Sequence, residues 1–198
     1  MANRNWAAMG AAMVVTLGVL ANQAGAVPLA PGGAVATPGT TAAARPELAG
    51  VVVQDVIRPI SVVVGTTVIR GWLQDRVVRS NQTGTLDFYY RINIDQGSNG
   101  AINQVRKANF APAGAPTDVD WRIDGLGLKN PKSASRTATG QVVIFEHPGA
   151  NAILPGQQSR FVFVKTRAKE YKLGTSLLRW ISGGGTGVVA VPSFQPAY

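Results

Sequence analysis

The chain of 198 residues contains no cysteine and a single histidine, His147. Without cysteine it can form no disulfide, no iron–sulfur cluster and no thiolate zinc site. One histidine also excludes a multi-histidine metal site, and no Gly-x-Ser-x-Gly elbow accompanies it. His147 precedes Pro148-Gly149, so we predict a surface or turn histidine without a catalytic role. We expect no catalytic residue set, no metal and no cofactor.

Acidic residues are also scarce, because 10 Asp and Glu stand against 19 Lys and Arg and leave a formal net charge of +9. Such an excess attracts anions, whether acidic polysaccharide, lipid headgroups, nucleic acid or an acidic protein. Nucleic acid is the weakest of these, because no DNA- or RNA-binding motif is present. The acids are scattered singly, so the sequence nominates no carboxylate pair for glycoside hydrolysis.

Long apolar runs are absent except near the N-terminus, where Met1–Ala26 is predicted to be a signal peptide. Arg4 gives a positive start, and the apolar stretch Ala7–Leu20 is shorter than the ~20 residues that span a bilayer. Ala24-Gly25-Ala26 has the small residues of a cleavage site, which would make Val27 the mature start. We therefore expect export to the periplasm, cell surface or medium; the alternatives are an uncleaved anchor and a buried helix.

Residues 27–46 are rich in Ala, Pro, Gly and Thr. Prolines in this stretch break helices and remove backbone donors, which predicts a flexible linker. The alternative is a segment that packs on the following domain around Val27 and Leu29. The folded domain is then predicted to cover residues 47–198.

Strand patterns dominate residues 47–198, with no sustained helical period. The clearest lies in Gly84–Asp95, where alternate residues from Leu86 to Ile94 are apolar and predict a strand with one buried and one solvated face. Short apolar runs between turns continue along the chain; Val51–Ile57 and Ile60–Val64 form two of them, with Pro59 at the break. We predict an all-β domain of about nine strands, an antiparallel β-sandwich of jelly-roll or immunoglobulin-like type. Ala111–Pro116 is predicted to be a loop.

Basic residues near the end of the strand predicted over Arg160–Ala168 form the candidate ligand-binding face. These residues are Lys165, Arg167, Lys169 and Lys172, and we call them the basic strip. They could hold an acidic glycan or envelope lipid by charge, with exposed tyrosines such as Tyr89 and Tyr171 stacking on sugar rings. The alternative is the ordinary solvated surface of a basic protein.

The segment Asp118–Gly125 places three aspartates and Arg122 at alternate positions. Its spacing departs from the calcium-loop pattern, because Arg122 stands where an oxygen ligand belongs. We interpret it as a solvated strand face on which Arg122 pairs with the neighbouring aspartates.

Three segments together resemble an uncharacterised group of secreted bacterial β proteins. They are Gly84-Thr-Leu-Asp-Phe-Tyr-Tyr90, Gly156–Ala168 with its Phe-Val-Phe-Val-Lys-Thr-Arg-Ala ending, and Val189–Pro196 with Phe194-Gln-Pro196. Many members of that group carry a C-terminal Pro-Glu-Pro sorting signal of the exosortase type, which this sequence lacks. The resemblance implies a secreted β protein and brings no catalytic residues with it.

The sequence thus predicts an exported, non-enzymatic protein of the cell surface or extracellular matrix. Its expected partner is an acidic polysaccharide or envelope component, bound through the basic strip, with no nucleic acid. A secreted hydrolase acting on polysaccharide is the first alternative, by analogy with other β-sandwiches. The second is a subunit of an extracellular assembly that associates with itself through an exposed sheet edge.

Overall fold

The computed structural model describes residues 26–110 and 117–198, which form two antiparallel sheets of six strands each. The strands are β1 (Val27–Pro28), β2 (Ala34–Ala36), β3 (Gly50–Val64), β4 (Thr67–Ser80), β5 (Leu86–Ile94), β6 (Gly100–Lys107), β7 (Asp118–Trp121), β8 (Ser133–Arg136), β9 (Val143–Glu146), β10 (Val162–Lys165), β11 (Glu170–Ser182) and β12 (Gly185–Ala197). Two short 3₁₀ helices, Pro46–Leu48 and Gly149–Asn151, lie between strands. The predicted signal peptide up to residue 25 and the loop predicted over 111–116 lie outside the described residues.

The first sheet has the order β1-β7-β10-β5-β4-β3 and the second the order β12-β11-β6-β9-β8-β2. An all-β antiparallel sandwich is therefore confirmed, with twelve strands in place of the expected nine. Several of the strands contain only two to four residues, which is too short to produce a clear alternation. Within the described ranges, no helix is long and apolar enough to cross a membrane.

Strand β5 runs through the middle of the core, as its alternation predicts. Its apolar side chains Leu86, Phe88, Tyr90, Ile92 and Ile94 are at most 1% exposed and face the second sheet. The opposite face was expected to be solvated, and this expectation is wrong for its middle: Asp87, Tyr89 and Arg91 are also buried, whereas Asp95 is exposed. The reason is a second apolar cluster on the outer face of the first sheet, formed by Ala26, Leu48, Val78, Tyr89, Phe161 and Phe163.

The stretch predicted to be a flexible linker, residues 27–46, belongs to the sandwich instead. β1 pairs with β7 at one edge of the first sheet, and β2 pairs with β8 at one edge of the second. Leu29 and Thr40 are each 2% exposed. The prolines are tolerated because such short edge strands need few ladder hydrogen bonds. The alternative, that this segment packs on the domain, is therefore the correct description of residues 27–46.

The two apolar runs separated by Pro59 form one strand, β3, which is paired with β4 alone and lies at the edge of the first sheet. Pro59 stands opposite Trp72 without interrupting the pairing. An edge strand has one side free of ladder partners, so a missing N–H costs little there. The expected break at Pro59 is therefore absent, and the irregularity lies between Val52 and Gln54.

Candidate functional site

A cleft of about 440 Å³ opens on the outer face of the first sheet, beside the segment that covers this face. Its walls come from the chain around Leu48–Gly50 on one side and from residues 122–126 on the other. Five side chains supply its charged and aromatic surface: Arg76, Tyr89, Arg122, Asp124 and Phe161. The cleft therefore combines cations, one carboxylate and aromatic rings.

Arginine and aromatic side chains stack alternately beside and within this cleft. The guanidinium carbons of Arg76 and Arg91 lie 4.8 Å and 5.1 Å from the ring centroid of Phe161. Arg91 also lies 5.1 Å from the ring of Trp72, so the stack continues past the cleft. Cation–π contacts of this kind hold each guanidinium over an aromatic ring and restrict its orientation. We call Trp72, Arg91, Phe161 and Arg76 the arginine–aromatic stack.

The stack follows from the strand register. Trp72, Gln74 and Arg76 occupy alternate positions of β4 and so share one face. Gln74 stands opposite Arg91 of β5, and the Arg91 guanidinium reaches the rings of both Trp72 and Phe161. Phe161 comes from the residue before β10, the strand on the far side of β5.

The cleft arginines are ion-paired at its rim. Arg76 Nη2 lies 2.6 Å from Asp55 Oδ2, and Arg122 holds Asp124 through two hydrogen bonds of 2.7 and 2.8 Å. The arginine partner lowers the pKa of Asp124, and the same pairing raises the pKa of Arg122 despite its burial. Arg122 and Asp124 are therefore both charged at neutral pH. Each of the four paired side chains keeps part of its surface in solvent.

Tyr89 lies below Arg122 and is only 3% exposed, so the expectation of an exposed stacking tyrosine is wrong for it. Arg122 Nη1 donates to Tyr89 Oη at 3.5 Å, and burial raises the pKa of the phenol. Tyr171, the second tyrosine that was expected to be exposed, is half-buried. Its hydroxyl accepts from Gln54 at 2.9 Å, and its ring packs edge-on against Phe194. Tyr89 is therefore excluded as an open stacking platform, and Tyr171 is engaged by both Gln54 and Phe194.

The basic strip is distributed over two sheets. Lys165 ends β10 of the first sheet, and its ammonium lies 3.7 Å from Glu47 Oε1. Arg167 and Lys169 are exposed in the connection to β11, and Lys172 is exposed on β11 of the second sheet. Lys165 is thus directed to a carboxylate of the same chain, while the other three remain open to solvent.

The aspartates of Asp118–Gly125 differ strongly in environment. Arg122 pairs with Asp124, as expected. Asp120, however, is fully buried and accepts from the backbone N–H groups of Gly39 and Trp121 at 2.8 and 2.9 Å, so the expected solvated face is wrong for it. In residues 26–110 and 117–198, no group of three or more His, Asp or Glu is arranged to hold a metal ion.

His147 follows β9 directly, but it lies inside the protein with 0% of its surface exposed. Burial lowers the pKa of its imidazole to about 4. Neither ring nitrogen makes a hydrogen bond of ordinary geometry within the described part of the chain. The expectation of a surface histidine is therefore wrong, and the neutral ring acts as a packing group.

The chain matches no protein-family model, and searches of curated proteins and of solved structures find no similar protein. The chemistry of the cleft therefore carries the functional argument. Sequence reasoning missed this cleft because Arg76, Arg122 and Phe161 lie far apart in the chain. The one available signal was that charged or aromatic residues occupy strand positions that the alternation assigns to the solvated face.

Proposed function

We propose that this protein is exported and acts without catalysis at the cell surface or in the extracellular matrix, where it binds an acidic polysaccharide. The cleft on the outer face of the first sheet is the proposed binding site. The observation that supports it is the presentation of two oriented guanidinium groups, Arg76 and Arg122, over aromatic rings. This placement differs from the basic strip that the sequence favours.

Each part of the cleft suits one part of an acidic sugar. The Nε and Nη2 donors of Arg76 and Arg122 are held by Asp55 and Asp124. The remaining N–H groups of each guanidinium are the ones that a sugar carboxylate could accept from. Asp124 and Asp55 can accept hydrogen bonds from sugar hydroxyls while they remain paired with their arginines. The side chain of Leu126, which is 66% exposed, can cover the C–H face of a sugar ring.

The net charge of +9 supports the same partner at longer range. A strongly positive protein raises the local concentration of a polyanion and speeds its association, while the oriented groups of the cleft select its geometry. A hydrolytic role has less support, because Asp124 is the one carboxylate in the cleft lining and it is ion-paired with Arg122.

The decisive experiment compares two double variants that each remove two positive charges. Arg76→Gln with Arg122→Gln alters the cleft, and Lys169→Gln with Lys172→Gln alters the basic strip. Binding of polygalacturonate and of neutral dextran to the exported protein is measured by calorimetry at low salt. Circular dichroism checks that each variant is folded.

We expect polygalacturonate to bind and dextran not to bind. The cleft variant should bind at least about tenfold more weakly, a loss of about 1.4 kcal/mol, and the strip variant should change by less than about twofold. A larger loss in the strip variant would place the site on the basic strip. Absence of binding to polygalacturonate, alginate and other acidic polysaccharides at low salt would refute the proposal.

A further inference from the structure

A second charged group lies on the outer face of the first sheet, near the start of the described chain. It contains four carboxyl groups and two cations: Glu47, Asp87, Asp118, Asp120, Arg45 and Lys165, which we call the acidic cluster. Lys165 stands opposite Asp87 on one neighbouring strand and opposite Asp118 on the other. Arg45 pairs with Glu47 and lies 3.9 Å from Asp118. Four carboxylates against two cations leave an excess of negative charge.

Two of these carboxyl groups are buried and incompletely paired. Asp87 and Asp120 are each 0% exposed. Among the described residues, neither oxygen of Asp87 and only Oδ1 of Asp120 has a hydrogen-bond partner of ordinary geometry. Burial raises the pKa of Asp87 to about 7 and that of Asp120 to about 6. Lys165 and Arg45 act against these rises without cancelling them. Because buried anions that are only partly compensated are costly, one more cation would stabilise the cluster.

The backbone that begins β1 lies against this cluster. Val27 pairs with Val119 and Pro28 with Asp118, so the same antiparallel register places Ala26 opposite Asp120. Ala26 is 5% exposed and packs in the apolar cluster of the outer face. Its carbonyl accepts a hydrogen bond from Arg45 at 3.3 Å. The Ala26–Val27 peptide bond is therefore a neighbour of both Asp120 and Arg45.

We propose that hydrolysis of the Ala26–Val27 bond completes the acidic cluster, because the new α-ammonium group of Val27 pairs with Asp120 and its neighbour Asp118. This inference rests on the proposed export, since a signal peptidase would perform the cleavage. Water adds across the peptide bond: its hydroxyl goes to the carbonyl carbon of Ala26, which leaves as a carboxylate. The amine of Val27 takes up a proton and remains on the mature chain.

Processing then improves the charge balance of the fold. Before cleavage, the nitrogen of Val27 is a neutral amide and the cluster keeps its negative excess. After cleavage, one additional positive charge stands next to the fully buried carboxylate of Asp120. Cleavage also removes Ala26 from the apolar cluster and frees Arg45 from the Ala26 carbonyl. We expect the added ion pair to outweigh this loss, so that the mature protein is more stable than its precursor and stable folding follows export.

The test uses the exported protein itself. Intact mass and N-terminal sequencing establish where the mature chain begins. Reductive methylation with ¹³C-formaldehyde then labels the α-amine without removing its charge, and an NMR titration gives its pKa. Wild type is compared with Asp120→Asn, with Asp118→Asn, and with Asp95→Asn as the control. Asp95 is an exposed carboxylate that accepts from Asn93 and does not belong to the acidic cluster.

We expect a start at Val27 and an α-amine pKa at least about one unit above the ordinary ~7.7 to 8.0. Asp120→Asn should return the pKa to the ordinary range, Asp118→Asn should lower it by a smaller amount, and Asp95→Asn should leave it unchanged. Asp118 is partly exposed, so its variant tests the pairing even if Asp120→Asn does not fold.

Four results would overturn the inference. A start at Val27 with an ordinary α-amine pKa would refute the pairing while leaving export intact. An exported protein that begins at another residue would refute cleavage at Ala26–Val27 but would leave the proposed export intact. The α-amine pKa could also be ordinary while calcium raises the melting temperature of wild type but not of Asp120→Asn. A metal ion, and not the α-ammonium group, would then supply the additional positive charge. Recovery of the protein in the cytosol with Met1 retained would instead refute the proposed function as well.

Discussion

The ammonium of Lys107 lies 3.3 Å from the ring centroid of Tyr90, in the interior between the two sheets. It also donates hydrogen bonds to Ser176 and, at 2.8 Å, to Ser193. Asp75, which stands opposite Tyr90 in the sheet, supplies negative charge near this ammonium. Burial lowers the pKa of Lys107 and raises that of Asp75. A polar cluster in the core thus connects strands of both sheets.

Removing the charge of Asp75 should destabilise the fold. Its Oδ2 accepts from Arg58 Nε at 3.1 Å and from the Phe194 N–H at 2.7 Å. Asp75→Asn leaves Arg58 and Lys107 without their buried counter-charge, so we expect a loss of about 3 kcal/mol in the free energy of unfolding. Urea denaturation at pH 7 measures this loss. The control Asp95→Asn should change the free energy by less than ~0.5 kcal/mol, and an equally small change in Asp75→Asn would contradict the prediction.

His147 should make the fold sensitive to acid. Its folded pKa of about 4 lies below the unfolded value of about 6.5, because the buried ring is held neutral. A depressed pKa contributes stability that is complete above about pH 6.5 and is lost as the pH falls toward about 4. We expect this loss to reach roughly 2 to 3 kcal/mol between pH 7.5 and 4.5.

The measurement is urea denaturation of wild type and His147→Gln at both pH values. Carboxyl groups with raised pKa act in the opposite direction over this range, and they are common to both proteins. The difference between the two pH dependences therefore isolates the histidine. Equal pH dependence in wild type and variant would exclude this role.

Gly71 should tolerate no side chain. It lies within β4, and a Cβ atom added there would stand 2.0 Å from the carbonyl oxygen of Asn93 on β5. Gly71→Ala must therefore separate β4 from β5, the two strands that carry the arginine–aromatic stack. We expect a loss of more than about 2 kcal/mol in the free energy of unfolding.

Gly183, in the turn between β11 and β12, provides the matched control. A Cβ atom there meets nothing within 4 Å, so Gly183→Ala should change stability by less than ~0.5 kcal/mol. Thermal or urea unfolding of the two variants gives the comparison. A Gly71→Ala protein as stable as Gly183→Ala would show that the strands separate more easily than the structure implies.

Polysaccharide binding should weaken with salt. The Debye length falls from about 10 Å at 0.1 M to about 3 Å at 1 M ionic strength, which removes long-range attraction between the basic protein and a polyanion. We expect the affinity for polygalacturonate to fall at least about tenfold over this range, largely through slower association. Stopped-flow or surface-plasmon measurements of the association rate test this. A salt-independent association rate would argue against charge-guided binding.

The sequence predicted the local features that one segment can encode. The turns at 81–84 and 96–100 lie where their Asn, Gly and Ser residues indicate, and the alternation of Leu86–Ile94 gives the buried face of β5. Pro59 misled the strand assignment, because a proline breaks an internal strand and is tolerated at an edge, and the sequence does not say which strands are edges.

The N-terminal segment shows the same limit on a larger scale. Its Ala- and Pro-rich composition is that of a linker, and Leu29 supported only the alternative that the segment packs on the domain. In the structure Leu29 belongs to the main apolar core of the sandwich. Once this segment covers the first sheet, polar positions such as Asp87 and Tyr89 become buried. That burial produces the raised pKa of Asp87, which no pattern in β5 itself indicates.

The sequence by itself determined the all-β class, the excess of positive charge and the inward face of the central strand, because alternation and composition are properties of neighbouring residues. Tertiary structure alone decided the cleft and the acidic cluster. Arg76, Arg122 and Phe161 meet only through strand order and register, and these are fixed by long-range pairing. Whether a polar strand face meets water or another segment is likewise settled by packing of the whole chain.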